Sequence, residues 1–171
     1  MNKFQNFFYN IEKNSDNPEK LSVKKTLVYS FFALILLCLV NSLLTFIFKP
    51  DYIYPEVNRR VIFFLRLILT SLLEEIIFRF FLPESLRKTG EKFIKDEKKL
   101  RFYKLSVEIS IIVIFALLHS YLGTGGIINA FFAAIIFRLL YFSTGHLYSP
   151  CLTHTVYNVT QGIILMLQVS L

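Results

Sequence analysis

Read for hydropathy alone, the chain sets five long apolar runs between shorter polar or basic stretches. The runs cover residues 25–48, 61–82, 105–122, 127–142 and 150–171. At about 1.5 Å per residue, such runs cross all or most of a hydrocarbon core of roughly 30 Å. The pattern predicts an all-α, polytopic transmembrane helix bundle of five spans in one domain, residues 25–171, after a polar N-terminal tail, residues 1–24. Gly123–Gly126 and the stretch 143–149 separate the later runs, and Ser149 and Pro150 are expected as N-cap and first residue of the last helix. In the tail, Phe7, Phe8 and Tyr9 fit either an amphipathic surface helix or a loose segment.

Residues 83–104 break the apolar pattern. They are dense in Lys and Arg, with Leu86, Phe93, Ile94, Leu100 and Phe102 interspersed, which predicts an amphipathic helix on the membrane surface with Pro83 in its first turn.

Composition strengthens the membrane reading. Of 171 residues 54% are hydrophobic, more than a soluble core of this size normally buries. Phe is abundant and Trp absent, so the aromatics read as lipid-facing or packing bulk and imply no cofactor. The net charge of +7 invites a nucleic-acid reading. Its basic residues lie mostly outside the apolar runs, however, where they report topology and meet anionic lipid headgroups, above all at residues 87–104; no nucleic-acid partner is expected. Their distribution puts the N-terminus and the 87–104 loop in the cytoplasm and the C-terminus outside. Cys38 and Cys151 stand alone in apolar runs, without metal-ligand spacing. The polar residues ahead of the first run are unlike a signal peptide, so that run is expected to stay as a span.

The second run carries what an apolar span should lack: Arg66, Glu74, Glu75 and Arg79. A charge near mid-bilayer costs at least about 2.5 to 3.5 kcal/mol, so these residues need partners or water. Glu75 and Arg79 are spaced i, i+4 with the carboxylate first, the favourable order for an ion pair. Glu74 lies about 100° further round the helix, with its charge only partly compensated. Such a carboxylate is suited to take a proton from water and return it to a leaving amine. A structural ion pair beside a protonated glutamate is the plainer alternative.

Phe115 and His119 share a face of the third run, and His154 and Asn158 a face of the fifth. His119 is a candidate to orient the attacking water. His154 and Asn158 can donate to one oxyanion, a stabilisation of about 2.7 to 4 kcal/mol in a dry site; alternatively they are inter-helix polar glue. Arg66 and Arg138 are further intramembrane cations, able to pair with Glu74, Glu75 or Glu108 or to reach headgroups. Counted from the run ends, His119 lies about 20 Å deep and Glu74 about 12 Å, so their contact requires tilt, a shifted boundary or an aqueous cavity.

Glu74-Glu75-x-x-x-Arg79, Phe115-x-x-x-His119 and His154-x-x-x-Asn158, in that order and each in its own span, resemble the CPBP family, also called Abi. Its members include type II CAAX prenyl endopeptidases and bacteriocin-processing or immunity proteins. Residues 143–150 are also similar to that family's approach to its third motif, and the resemblance covers roughly residues 61–165. It implies an intramembrane glutamic endopeptidase with Glu74 as base, His119 as its catalytic partner, His154 and Asn158 as oxyanion hole, and Glu75 and Arg79 in support. The implied substrate is a peptide or membrane protein, cut in the best-known members after a prenylated cysteine. The chain is shorter than the eukaryotic prenyl proteases, which leaves a lipidated substrate open, and its Lys, Asn, Ile and Phe bias suggests a bacterial plasma membrane.

Three rivals use the same residues. A zinc metallopeptidase would ligate the metal through Glu74, His119 and His154, although HExxH is missing. A non-catalytic scaffold or immunity factor would keep the cluster for packing or partner binding. A proton or ion path fits less well, because the polar positions converge instead of lining a full crossing.

Overall fold

The computed structural model describes residues 21–48 and 60–169, and every element in them is helical. The expectations for residues 1–20 and for the connector 49–59 lie outside the described residues. The elements are α1 (Val23–Phe48), α2 (Arg60–Glu75), a π-helical turn (Ile76–Phe81), α3 (Leu82–Phe93), α4 (Glu97–Leu118), a 3-10 turn (Ser120–Leu122), α5 (Gly123–Thr144) and α6 (Tyr148–Val169).

Helix α1 packs on α5 and α6, α2 on α6, and α4 on α3 and α5. The contacts give the directions. Leu21 N–H bonds Thr144 O at one end of α1 while Phe48 faces Gly125 at the other, so α1 and α5 are antiparallel. Ser30 meets Ser149 at 2.8 Å and Asn41 meets Gln161 at 2.9 Å, so α1 and α6 are parallel.

Residues 60–93 form one helical run interrupted only by the π turn. Its cause is in the sequence. Pro83 has no N–H to offer the Arg79 carbonyl four residues earlier, and the ladder widens just before it, Leu82 N–H bonding Ile77 O. The basic stretch is therefore not one surface helix. Its first half, α3, continues α2; Ile94 is extended; and Asp96 starts α4 by accepting from Lys99 N–H at 2.9 Å. Helix α4 folds back on α3, with Tyr103 O–H on Leu86 O at 3.1 Å and Lys104 on Glu91 at 2.9 Å.

Two other boundaries differ from expectation. The glycine-rich stretch opens α5 rather than separating helices, and glycine at 126 lets that first turn pack against Leu122 and His119 O, where a side chain would overlap. Helix α6 begins at Tyr148, so Ser149 lies inside it, its hydroxyl spent on Ser30.

Two buried clusters form the core, one around Phe78, Ile111 and Phe115 and one around Leu37, Phe137 and Tyr157. Outward, Phe31, Phe32, Leu39, Phe46, Leu65 and Leu69 are exposed. Such a face is stable against lipid and aggregation-prone in water. Val23–Phe48 and Ser120–Thr144 are each long and apolar enough to cross a membrane.

Candidate active site

The centre of the bundle is a polar ladder between α2 and α6. Ser71, Glu75 and Arg79 recur every fourth residue along one face of the α2 run, and His154 and Asn158 do so on α6. Because the helices are antiparallel, the steps match. Asn158 Nδ2 donates to Ser71 Oγ at 2.9 Å, and His154 Nδ1 lies 2.9 Å from Glu75 Oε1. Ser71 in turn donates to Leu67 O at 2.6 Å.

Glu75 is fully buried and faces two partners, Arg79 and His154. Its Oε2 lies 3.0 Å from Arg79 Nε, so the expected i, i+4 pair forms. The contact is Coulombic rather than an aligned hydrogen bond, and Arg79 Nη2 finds no acceptor among the described residues. Aromatic faces compensate: the guanidinium carbon sits 4.8 Å from the Phe115 ring centre and 5.7 Å from that of Phe137. Phe137 also stacks on His154 at 4.6 Å, fixing the imidazole plane.

Glu74 is the less confined carboxylate. Its side chain keeps 24% exposure, and its Oε2 lies 3.8 Å from His154 Nε2, the ring nitrogen that Glu75 leaves free. His154 thus stands between the two glutamates.

His119 caps the end of α4, where its Nδ1 lies 2.8 Å from Phe115 O and its Nε2 has no hydrogen-bond partner among the described residues. No hydrogen bond or ion pair joins it to Glu74 among the described residues. The two are nevertheless level. Phe78 meets Phe115 edge to face at 5.3 Å on helices that run antiparallel, and one further turn along each reaches Glu74 and His119. The mismatch in depth came from ending the second helix at residue 82 and starting the third at 105; the helical run of Glu74 continues to Phe93 and that of His119 starts at Glu97, so the two lie at similar distances from the hairpin.

Sequence reasoning missed Ser71, although its spacing from Glu75 and Arg79 was the available signal. It also left the partner of Arg138 open. Arg138 is buried and forms a two-pronged pair with Glu108, Nε to Oε2 at 2.6 Å and Nη2 to Oε1, while its Nη1 donates to Arg79 O at 2.7 Å. Arg66 is exposed on α2. His146 lies outside the site, its Nε2 2.9 Å from Leu21 O.

The family model for type II CAAX prenyl endopeptidase Rce1-like proteins matches residues 56–160, more than half of the chain and all of the ladder. The chain belongs to the Rce1-like family. No curated protein and no solved structure matches it. Rce1-like proteins are membrane-embedded, in keeping with the two apolar helices, and membership implies a protease of the CAAX type.

Proposed function

We propose that this Rce1-like chain is an intramembrane endopeptidase in which Glu74 activates the hydrolytic water. One observation carries the reading: Glu75 is spent on Arg79 and His154, whereas Glu74, beside it, remains partly exposed and open to a reactant. Two adjacent carboxylates in such different settings can do different work.

In this mechanism Glu74 takes a proton from water as the oxygen adds to the peptide carbonyl, and returns it to the nitrogen as the C–N bond breaks. His119, level with Glu74, orients the water through Nε2. Asn158 holds Ser71 with one amide hydrogen and has the other for the oxyanion. His154, its Nδ1 held by Glu75, presents Nε2 as the second group for the oxyanion.

The same reading makes α1, α2, α4, α5 and α6 five spans of alternating direction, with the N-terminus cytoplasmic, in a bacterial plasma membrane. Residues 87–104 meet anionic headgroups, and the substrate is a peptide or membrane protein, lipidated or not. The deciding experiment is Glu74→Gln, which keeps shape and hydrogen bonding but removes the base. Hydrolysis of a prenylated CAAX peptide or its unmodified counterpart should fall at least about 100-fold. Full activity in a folded, membrane-inserted variant would refute the mechanism and favour a scaffold or immunity role.

A zinc-dependent variant has one observation in its favour. His119 and His154 each have Nδ1 tied to an oxygen, which leaves Nε2 as the nitrogen a metal would take, as in metal-ligating histidines. Among the described residues, however, no three His, Cys, Asp or Glu groups come together to hold a metal.

A further inference from the structure

Outside the three motifs lies a second buried ion pair whose geometry touches the first. Arg138 spends Nε and Nη2 on Glu108 of α4 and its remaining amino group, Nη1, on the backbone carbonyl of Arg79. That carbonyl is available because Pro83 lacks the N–H that would have met it in an α-helix. The donor comes from α5, where the preceding residue, Phe137, stacks on His154 and lies under the Arg79 guanidinium. Two consecutive residues of α5 thus hold both ends of the Arg79–Glu75–His154 chain, Phe137 at the ring and Arg138 at the backbone.

A buried ion pair is a poor device for stability alone, since apolar residues of similar size often serve as well or better. Retaining one here is explained by what its third hydrogen bond fixes. In the π turn the ladder shifts to bonds five residues back, and Arg79 lies within that turn with its carbonyl deprived by Pro83 of the N–H an α-helix would give it. We infer that Arg138, oriented by Glu108, is a positioning residue: it fixes the π turn through the Arg79 carbonyl and so aims Arg79 at Glu75 and Glu75 at His154. The inference rests on the proposed reading for its catalytic consequence, but its structural content is independent of any substrate.

The discriminating variant exchanges the pair, Arg138→Glu with Glu108→Arg. It keeps a buried ion pair between α4 and α5 but removes the donor from the Arg79 carbonyl. The readout is the ring 15N signals of His154 in detergent or nanodiscs, which report the Nδ1 bond to Glu75 whether or not the protein cleaves anything. Positioning by Arg138 predicts a folded exchange variant with displaced His154 signals. Where wild type hydrolyses peptide, it also predicts a fall in kcat of about tenfold to a hundredfold at little-changed KM. Wild-type His154 signals in the folded exchange variant would overturn the inference and leave a merely structural pair. If the exchange variant does not fold, Arg138→Lys decides by the same signals, since lysine keeps the cation but cannot reach Glu108 and the carbonyl together. Absence of hydrolysis by wild type would count against the protease reading alone.

Discussion

His154 Nδ1 lies 2.9 Å from Glu75 Oε1, and the same carboxylate, fully buried, faces Arg79 at 3.0 Å through its other oxygen. One charge therefore holds two helices and the π turn together. Glu75→Gln leaves Arg79 as a buried cation without its carboxylate partner, a loss of about 3–5 kcal/mol. The exposed Glu84–Lys88 pair at 3.1 Å is the internal control, since Glu84→Gln should cost less than about 1 kcal/mol. Unfolding of the two variants in one detergent checks the contrast; equal losses would contradict it.

The ladder's other step gives a graded prediction. Asn158→Ala removes the proposed oxyanion donor and should lower kcat by about 10²–10³. Ser71→Ala leaves Asn158 in place but takes away the hydroxyl that fixes its amide, so its effect should be smaller and mainly on kcat. Steady-state kinetics on one peptide measure both. A Ser71→Ala loss equal to that of Asn158→Ala would mean that Ser71 itself meets the substrate.

How much of this was legible in sequence follows from what each element depends on. The Glu75–Arg79 pair and the shared face of His154 and Asn158 are local, fixed by helical period, and were readable. So were the apolar runs as helices. The pairing of Glu75 with His154, and of Asn158 with Ser71, depends on the register between α2 and α6, which no local pattern encodes. The extent of the helices was misread for a related reason. Hydropathy marks where a chain is apolar, and α4 starts instead at a capping Asp96 within a basic stretch. The π turn had a visible cause in Pro83, but its position could be recognised only with Arg138 on the freed carbonyl.

The α3–α4 hairpin makes a steric prediction. A methyl group at Gly90 would overlap the ring of Tyr103, whose hydroxyl is anchored on Leu86 O. Gly90→Ala should therefore destabilise the protein by about 1–3 kcal/mol. Tyr103→Ala in the same chain should relieve part of that loss, so the double variant should be more stable than the sum of the single effects allows. Strict additivity in thermal unfolding would show that the ring yields without cost.

Metal dependence separates the two chemistries that the Nε2 atoms of His119 and His154 permit. A zinc site needs both nitrogens and Glu74 on one ion, at about 2.0–2.2 Å each. In this structure Glu74 faces His154 Nε2 at 3.8 Å, and among the described residues no hydrogen bond or ion pair joins it to His119. With Glu74 as base, neither histidine needs a metal to be useful. Hydrolysis by purified protein should then survive a strong chelator, and metal analysis should find less than one zinc per chain. Zinc bound one to one, lost in His119→Ala and needed for turnover, would reassign Glu74 from base to ligand.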